Sequence, residues 1–280
     1  MDFDRLLLLD VGGTFIKTSD GREIPVNSNG DKQSVFLSFH KAVKDFCNEA
    51  VASPERKFAI GVAIPGPFDY VNGIFRMTHK YASVYGEDFR SLARIPSCVE
   101  LRFTHDVNCM LSGEMAYGNG RGFDRVALVS LGTGLGFSMS ICGEILKNES
   151  GSPLVTIFKY PCRGGILEDY VSKRGFVDLY FNKTGKRLTV KEIADSARAG
   201  DVDALDTFKT VAGILSGAIA PILEEYSIEC LLFGGQISRS CDLMATTLQN
   251  SLANIPSLRR IEVISDFDNA TFNGLKSLFV

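Results

Sequence analysis

The chain contains two turns of similar composition, each of which lies between two short apolar segments. Residues 6–9 form an apolar segment that leads into Asp-Val-Gly-Gly-Thr at residues 10–14, and residues 15–18 leave that turn. The chain then reverses at Asp20-Gly21, a dipeptide that is favoured in tight hairpins because it tolerates positive φ. This pattern predicts a strand, a glycine turn and a second strand.

The second turn repeats this design farther along the chain. Residues 126–129 lead into Ser-Leu-Gly-Thr-Gly-Leu-Gly at residues 130–136, and residues 137–141 leave it. Ser130 follows Asp10 by 120 residues, which is close to the usual domain size of about 100–150 residues. The repeat therefore predicts a duplicated α/β lobe.

Glycines at such turns let backbone amides converge on an anion, because no Cβ atom keeps the ligand away. Two turns of this kind are suited to hold a polyphosphate. The chain has no G-x-x-x-x-G-K-[ST] loop, and Phe137 stands where a dinucleotide-binding fingerprint needs its third glycine. For either turn alone, a plain hairpin with glycine at its bends is an equally good interpretation.

Other segments predict the elements that surround these turns. Residues 34–51 have the apolar spacing of a covering helix, and residues 58–64 form a buried type of strand that ends at the bend around Gly66. Residues 99–104 predict a strand and residues 107–117 a helix. His105 and Asp106 therefore lie at a strand-to-helix junction, where open α/β sheets bind ligands.

Composition and charge exclude several classes of protein. Of the 280 residues, 45% are hydrophobic, and 30 basic and 33 acidic residues leave a net charge of −3 without a long basic run. We therefore expect a globular protein that binds neither nucleic acid nor membrane. The acidic start lacks the basic region of a secretory signal, which favours the cytoplasm. Seven scattered cysteines and three histidines show no disulfide or zinc pattern.

Five segments, in one order, resemble the ROK family of sugar kinases and regulators, within the sugar kinase/actin/heat-shock superfamily. The segments are residues 10–14, 63–69, 105–108, 131–136 and 233–236. The resemblance runs from about residue 6 to residue 240 and implies two actin-like, ribonuclease H-like α/β lobes with a cleft between them. We expect an N-terminal lobe of residues 1–106 joined by residues 266–280, and a C-terminal lobe of residues 107–265.

The resemblance also implies which residues bind ATP and Mg²⁺. Asp10 resembles the carboxylate that helps to hold Mg²⁺, usually through water, although it could equally be a turn former at a strand end. The residues that resemble the two phosphate loops and the adenosine-binding turn are Gly12, Gly13, Thr14, Gly132, Thr133, Gly134, Gly234 and Gly235.

Asp106 matches the family's catalytic aspartate, which accepts the proton of the sugar hydroxyl; it could also simply cap the following helix. Five positions are expected to contact the sugar. They are Gly66, His79, His105, Asp106 and Glu168. For His105 a packed structural role is the alternative, and for Glu168 it is a solvated position in the first turn of a helix.

The chain also departs from the family pattern. The family usually has Asn where this chain has His105, and its Glu-x-Gly-His segment and zinc-binding cysteine cluster are missing between residues 148 and 168. Zinc should therefore be absent. The resemblance implies a homodimeric, ATP- and Mg²⁺-dependent kinase of a hexose or amino sugar. The alternatives are a catalytically silent sugar-binding sensor and a superfamily enzyme that uses another acceptor or hydrolyses ATP.

Overall fold

The computed structural model describes residues 3–279, which form fourteen strands and nine α-helices. The strands are β1 (Arg5–Val11), β2 (Phe15–Thr18), β3 (Glu23–Pro25), β4 (Phe58–Ile64), β5 (Phe68–Asp69), β6 (Ile74–Phe75), β7 (Val99–His105), β8 (Arg125–Leu131), β9 (Leu135–Ile141), β10 (Glu144–Ile145), β11 (Pro161–Cys162), β12 (Gly165–Ile166), β13 (Cys230–Gly234) and β14 (Arg260–Val263). The helices are α1 (Lys32–Ala52), α2 (Phe89–Ala93), α3 (Asp106–Tyr117), α4 (Leu167–Val171), α5 (Lys173–Thr184), α6 (Val190–Arg198), α7 (Val202–Glu225), α8 (Ala245–Leu252) and α9 (Ala270–Ser277).

The chain folds into two compact units. Unit 1 contains the residues up to Ala116, Lys147–Leu154 and the residues from Asp268 onward. Its main sheet has the order β3-β2-β1-β4-β7, with β1 antiparallel to β2 and parallel to β4. Every residue of the central strand β4 is buried, because helices cover a parallel sheet on its faces.

Helix α1 shows how the apolar pattern builds the core of unit 1. Asp31 caps the helix by accepting the Ser34 amide at 2.7 Å. Phe39, Val43 and Phe46 lie three or four positions apart and are buried against the sheet. The helix predicted for residues 34–51 is thereby confirmed.

Unit 2 contains Tyr117–Leu146 and Val155–Phe267, and its sheet has the order β10-β9-β8-β13-β14. Helix α6 begins at a capping box, in which the side chains of Thr189 and Glu192 each accept the other's backbone amide. The long helix α7 packs its apolar side into the core cluster that also contains β8, β9 and β13.

The two main sheets repeat one design. In each of them a glycine turn connects an antiparallel pair (β1 with β2, β8 with β9), and two further strands continue the sheet in parallel (β4 and β7, β13 and β14). The duplicated α/β architecture predicted from the two turns is therefore confirmed.

The units divide the chain at other residues than the predicted lobes. Helix α3, expected in the C-terminal lobe, packs in unit 1, where Cys109 contacts the Thr271 carbonyl and joins a core cluster with Leu275. Close packing of α3 on α9 explains why α3 belongs to unit 1, since a Cβ atom on Gly113 would lie only 2.8 Å from the backbone of α9. The segment Lys147–Leu154 also belongs to unit 1.

Two further predictions concern the membrane and the cysteines. Within residues 3–279, no helix combines the length and the apolar character that crossing a bilayer requires. All seven cysteines are free thiols, and four of them, Cys47, Cys109, Cys230 and Cys241, are buried.

Candidate functional site

The first turn, residues 12–14, connects β1 with β2 and is held by its carbonyl groups. The Gly12 carbonyl accepts the Tyr81 hydroxyl at 2.6 Å, and the Gly13 carbonyl accepts the Ser28 amide at 3.1 Å. The amides of Gly13 and Thr14 have no hydrogen-bond partner among the described residues. Two unpaired backbone donors on one glycine turn are suited to bind an anion, and phosphate binding there stays a prediction.

Asp10 lies at the end of β1, directly before the first turn, and is half-buried. Burial, and next the nearby charge of Asp106, raise the pKa of the Asp10 carboxyl to about 6, although Lys17 opposes this effect. Its carboxylate accepts no hydrogen bond from the residues that the structure describes. An unsatisfied carboxylate with a second one nearby fits Mg²⁺, which prefers oxygen ligands and would offset the repulsion between the two.

Asp106 is the first residue of α3 and follows β7 directly. Its Oδ1 accepts the Val107 amide at 2.7 Å and lies 2.7 Å from Nδ1 of His105. The Val107 amide also lies 3.3 Å from Nδ1, but the shorter distance to the carboxylate oxygen assigns a proton to Nδ1, so that Nδ1 and the Val107 amide both donate to Oδ1 of Asp106. Within the described chain, Oδ2 of Asp106 accepts no hydrogen bond, and its side chain is 46% exposed.

The charge of Asp106 is stabilised by its surroundings. Partial removal from water would raise its pKa, but the charge and hydrogen bond of His105, the Val107 amide and the charge of Lys80 outweigh that effect. The pKa of the Asp106 carboxyl is therefore below its ordinary value. Asp106 is thus an ionised carboxylate with one free oxygen at neutral pH.

His105 is held between β4 and the bend that follows it. The Tyr70 ring packs on the His105 ring at a centroid distance of 5.7 Å, and the Tyr70 hydroxyl donates to the Ile64 carbonyl at 2.9 Å. A Cβ atom on Gly66 would lie 3.3 Å from Nε2 of His105. Gly66, His105 and Asp106, three of the predicted sugar contacts, are thereby brought together in unit 1.

The segment Lys147–Leu154 stands where the family motif is missing. The Tyr70 amide donates to the Ser150 carbonyl at 2.9 Å, and the buried Asn108 donates to the Gly151 carbonyl at 3.2 Å. Asn148 folds the segment on itself, since its side-chain oxygen accepts the amides of Ser150 and Ser152, each at 3.1 Å. Asn108 therefore supports this segment structurally.

The sequence predicts His79 as a sugar contact but gives no role to its neighbours Lys80 and Tyr81. His79 is exposed. Lys80 is half-buried, and its Cε lies 3.9 Å from the position that a Cβ atom on Gly13 would take. Tyr81 is fully buried and holds the first turn through its hydroxyl. The sequence signal for this anchor was Tyr81 itself, a large aromatic residue that follows three polar residues in the loop.

The second turn, residues 132–134, connects β8 with β9 in unit 2. The Lys173 amide donates to the Gly132 carbonyl at 2.9 Å, while the described residues offer no partner to the amides of Thr133 and Gly134. Thr133 is exposed. Glu168, which the resemblance assigns to sugar, accepts the Leu135 amide at 2.9 Å and lies against Gly134. Glu168 also lies in the first turn of α4, which is the position that its alternative structural interpretation gives it.

Gly234 is the last residue of β13, and Gly235 follows it directly. Gly235 has φ +81°, and a Cβ atom there would collide with the Leu131 carbonyl that precedes the second turn. Ser238 then binds both glycine carbonyls, with its hydroxyl 2.6 Å from Gly234 O and its amide 3.1 Å from Gly235 O. Only glycine allows this close approach.

Zinc binding would need several ligands in one place. Within residues 3–279, no group of three or more His, Cys, Asp or Glu side chains is suited to hold a metal ion. The absence of zinc remains a prediction. The carboxylates of Asp10 and Asp106, which lie near each other, suit Mg²⁺ rather than zinc.

Comparison with known proteins agrees with this arrangement. The chain is 24% identical over 285 residues to a glucokinase of Thermotoga maritima, covering 89% of this chain and 87% of the relative. It is 25% identical over 240 residues to an N-acetyl-D-glucosamine kinase of Pectobacterium atrosepticum, covering 78% and 79%. The fold matches a ROK family glucokinase from Streptomyces griseus, in complex with glucose and AMPPNP, with a TM-score of 0.76, 20% identity and 98% of each chain covered.

Both the architecture and the sequence of this chain match one family. Two sheets of one design, each with a glycine turn at the corresponding strand end, are the architecture that the sequence motifs imply. Residues 27–264 match the ROK family along most of the chain. The chain therefore belongs to the ROK family.

Proposed function

We propose that this protein transfers the γ-phosphoryl group of ATP to a hydroxyl group of a sugar, with Asp106 as the general base. The observation that carries the proposal is the Asp106 carboxylate, whose Oδ1 is held by the Val107 amide and the His105 imidazole while Oδ2 is free. The glucokinase and N-acetylglucosamine kinase relatives support the same reaction class.

Proton transfer in this reaction uses Oδ2 of Asp106. Phosphoryl transfer passes through a loose transition state, so the hydroxyl proton leaves late and a weak base is sufficient. The pKa of Asp106 is below its ordinary value, which keeps the carboxylate ionised at neutral pH. His105 orients the carboxylate by donating a hydrogen bond to Oδ1. Oδ2 is then available to the hydroxyl group of the acceptor.

ATP binding is assigned to the two glycine turns and to Gly234-Gly235. In the first turn, the amides of Gly13 and Thr14 bind phosphate oxygens, and in the second turn those of Thr133 and Gly134 do. Gly234 and Gly235 bind the adenosine. Asp10 would hold Mg²⁺, and the nearby negative charge of Asp106 would help to attract it. When bound, Mg²⁺ neutralises phosphate charge. The relative that binds AMPPNP supports the use of ATP.

The acceptor is proposed to be a hexose or an amino sugar. Glucose and N-acetylglucosamine are the sugars in the names of the relatives, whose identity to this chain is about 25% or lower. Nε2 of His105 beside Gly66 is a side-chain group suited to bind a sugar hydroxyl, and His79 and Glu168 are further candidates. Seven free thiols agree with a reducing compartment, and we assign the protein to the cytoplasm.

The experiment is an ADP-release assay with MgATP over hexoses, amino sugars and N-acetylated sugars, run for the wild type, Asp106→Asn and Asp45→Asn. Asp45 is an exposed residue of α1 and serves as the matched control. We expect sugar-dependent ADP release that falls by about 10²–10⁴-fold in Asp106→Asn and persists in Asp45→Asn. ADP release without any sugar dependence would contradict the proposal, as would an Asp106→Asn variant with full activity.

A further inference from the structure

Lys80 is a cation beside the first turn that the proposed mechanism has not used. It is half-buried, and its Cε lies 3.9 Å from the Cβ position of Gly13, whose amide is unpaired. Among residues 3–279, no carboxylate lies within 4 Å of its ammonium group. Its charge nevertheless contributes to lowering the pKa of Asp106. The charge of Lys80 thus acts on Asp106 while its side chain lies beside the first turn.

The backbone next to Lys80 is fixed in an unfavourable conformation. Tyr81 has φ +53° and is fully buried, a left-handed conformation that is rare for a bulky residue. Its amide donates to the Ser28 carbonyl and its hydroxyl to the Gly12 carbonyl, both at 2.6 Å. Such strain persists only where the surrounding structure over-determines it, and it is concentrated at functional sites. Tyr81 therefore fixes the position of Lys80 relative to the first turn.

We propose that Lys80 binds the γ-phosphoryl group of ATP and stabilises it during transfer. This inference rests on the proposed kinase function. A group that passes from the nucleotide to a hydroxyl held at Asp106 carries its charge on three equatorial oxygens, which a fixed cation stabilises. Lysine suits this role as a point charge, and the neighbouring amides of Gly13 and Thr14 supply directional donors.

The step balances without a proton from Lys80. The bond between the sugar oxygen and the γ-phosphorus forms as the bond from that phosphorus to the bridging oxygen of ADP breaks, and ADP leaves with the electron pair. The hydroxyl proton goes to Oδ2 of Asp106. Lys80 keeps its protons throughout and contributes charge alone.

A second role for Lys80 would be purely indirect, through the pKa of Asp106. The two roles differ in what they do to nucleotide binding. A ligand of the γ-phosphoryl group favours a triphosphate over a diphosphate, whereas a group that only tunes Asp106 leaves that preference unchanged. The ratio of the affinities for MgAMPPNP and MgADP therefore separates them, and it requires no sugar and no turnover.

The experiment measures both affinities by equilibrium titration for the wild type, Lys80→Met, Lys80→Arg and Lys44→Met. Lys44 is an exposed residue of α1, and it controls for the loss of a positive charge. We expect Lys80→Met to weaken MgAMPPNP binding at least 10-fold and MgADP binding less than 3-fold. Lys80→Arg should recover part of the difference, and Lys44→Met should match the wild type. Thermal unfolding of each variant verifies that it is folded.

An unchanged ratio in a folded Lys80→Met variant would overturn the role of Lys80 and leave the kinase proposal standing. A second outcome would be an unchanged affinity ratio together with a pH profile of kcat whose acid limb moves to higher pH. Lys80 would then act only through the pKa of Asp106, and this result would also overturn the inference. A folded wild type that binds neither nucleotide would contradict the proposed function itself.

Discussion

The two glycine turns share a strand-turn-strand arrangement but differ in the charged side chains beside them. Each turn connects the antiparallel strands of its sheet and leaves two consecutive amides unpaired among the described residues. Beside the first turn lie a lysine, Lys80, and the half-buried Asp10. Beside the second turn lies a carboxylate, Glu168, which already accepts the Leu135 amide.

The positions that correspond in the two hairpins also have different side chains. Asp10 pairs with Lys17 across the first hairpin, and Ser130 pairs with Gly136 across the second. The first turn therefore has a cation, Lys80, and the Asp10 carboxylate beside it, whereas the Glu168 carboxylate lies beside the second turn. Duplication explains the shared backbone, and we infer that the charges have specialised unit 1 for the chemical step.

The largest expected effect concerns Asp10 and its counterpart. Asp10→Asn removes the charge that would hold Mg²⁺, so we expect kcat to fall by about 10²–10³-fold, the scale of losing one preorganised electrostatic group. Ser130→Ala at the corresponding position should change kcat less than about 3-fold. Steady-state kinetics with the best sugar measures both variants. Equal losses in the two variants would show that the turns are not specialised.

The next effect concerns stability beside the second turn. Gly235→Ala directs a Cβ atom at the Leu131 carbonyl and imposes φ +81° on alanine, so we expect it to lower the free energy of unfolding by about 2–4 kcal/mol. Gly132→Ala adds a methyl group where no atom lies within 4 Å and should cost about 0.5–1 kcal/mol. Urea unfolding measures both. A larger loss in Gly132→Ala would contradict the packing described here.

A smaller effect is the pH dependence that Asp10 contributes. Its pKa is about 6 in the folded protein and 3.8 in a free side chain, so the folded state binds this proton more tightly. The stability that it contributes is therefore present below the unfolded pKa and is lost as the pH rises through about 6. Without Mg²⁺, we expect Asp10→Asn to raise the free energy of unfolding by about 1–2 kcal/mol at pH 8, and not at pH 4. Asp45→Asn, measured alongside, should show no such gain.

The smallest effect tests the acid beside the second turn. Glu168→Gln keeps the shape and removes the charge, so MgADP should bind about 3-fold more tightly, the scale of one partly exposed charge. Glu144→Gln, an exposed control in the same unit, should leave the affinity unchanged. If Glu168 is a sugar ligand instead, the sugar KM rises and the MgADP affinity stays as it was. Titration calorimetry and sugar kinetics distinguish these outcomes.

The fold was largely predictable because strands and turns leave periodic signals. The structure has β4 at the predicted residues 58–64, and α1 spans Lys32–Ala52 where a helix over residues 34–51 is predicted. The unit boundary was not predictable in the same way. Helix α3 joins unit 1 through the close contact of two glycine-containing helices, which apolar periodicity does not encode.

The candidate site was predictable only where a motif surrounds a residue. Asp106 and both glycine turns stand in motifs, and the structure brings Asp106, His105 and Gly66 together. Lys80 stands in a loop without any periodic pattern, and its position depends on the buried Tyr81. A single lysine among thirty basic residues carries no signal until the fold is known.

The proposed function requires that the γ-phosphoryl group reaches a sugar rather than water. Phosphorus-31 NMR of the wild type, with MgATP and the sugar that stimulates ADP release most, tests this requirement. We expect a phosphomonoester signal that grows in equal amount with ADP, with no inorganic phosphate. ADP that appears together with inorganic phosphate alone would show that the enzyme hydrolyses ATP and would overturn the proposed function.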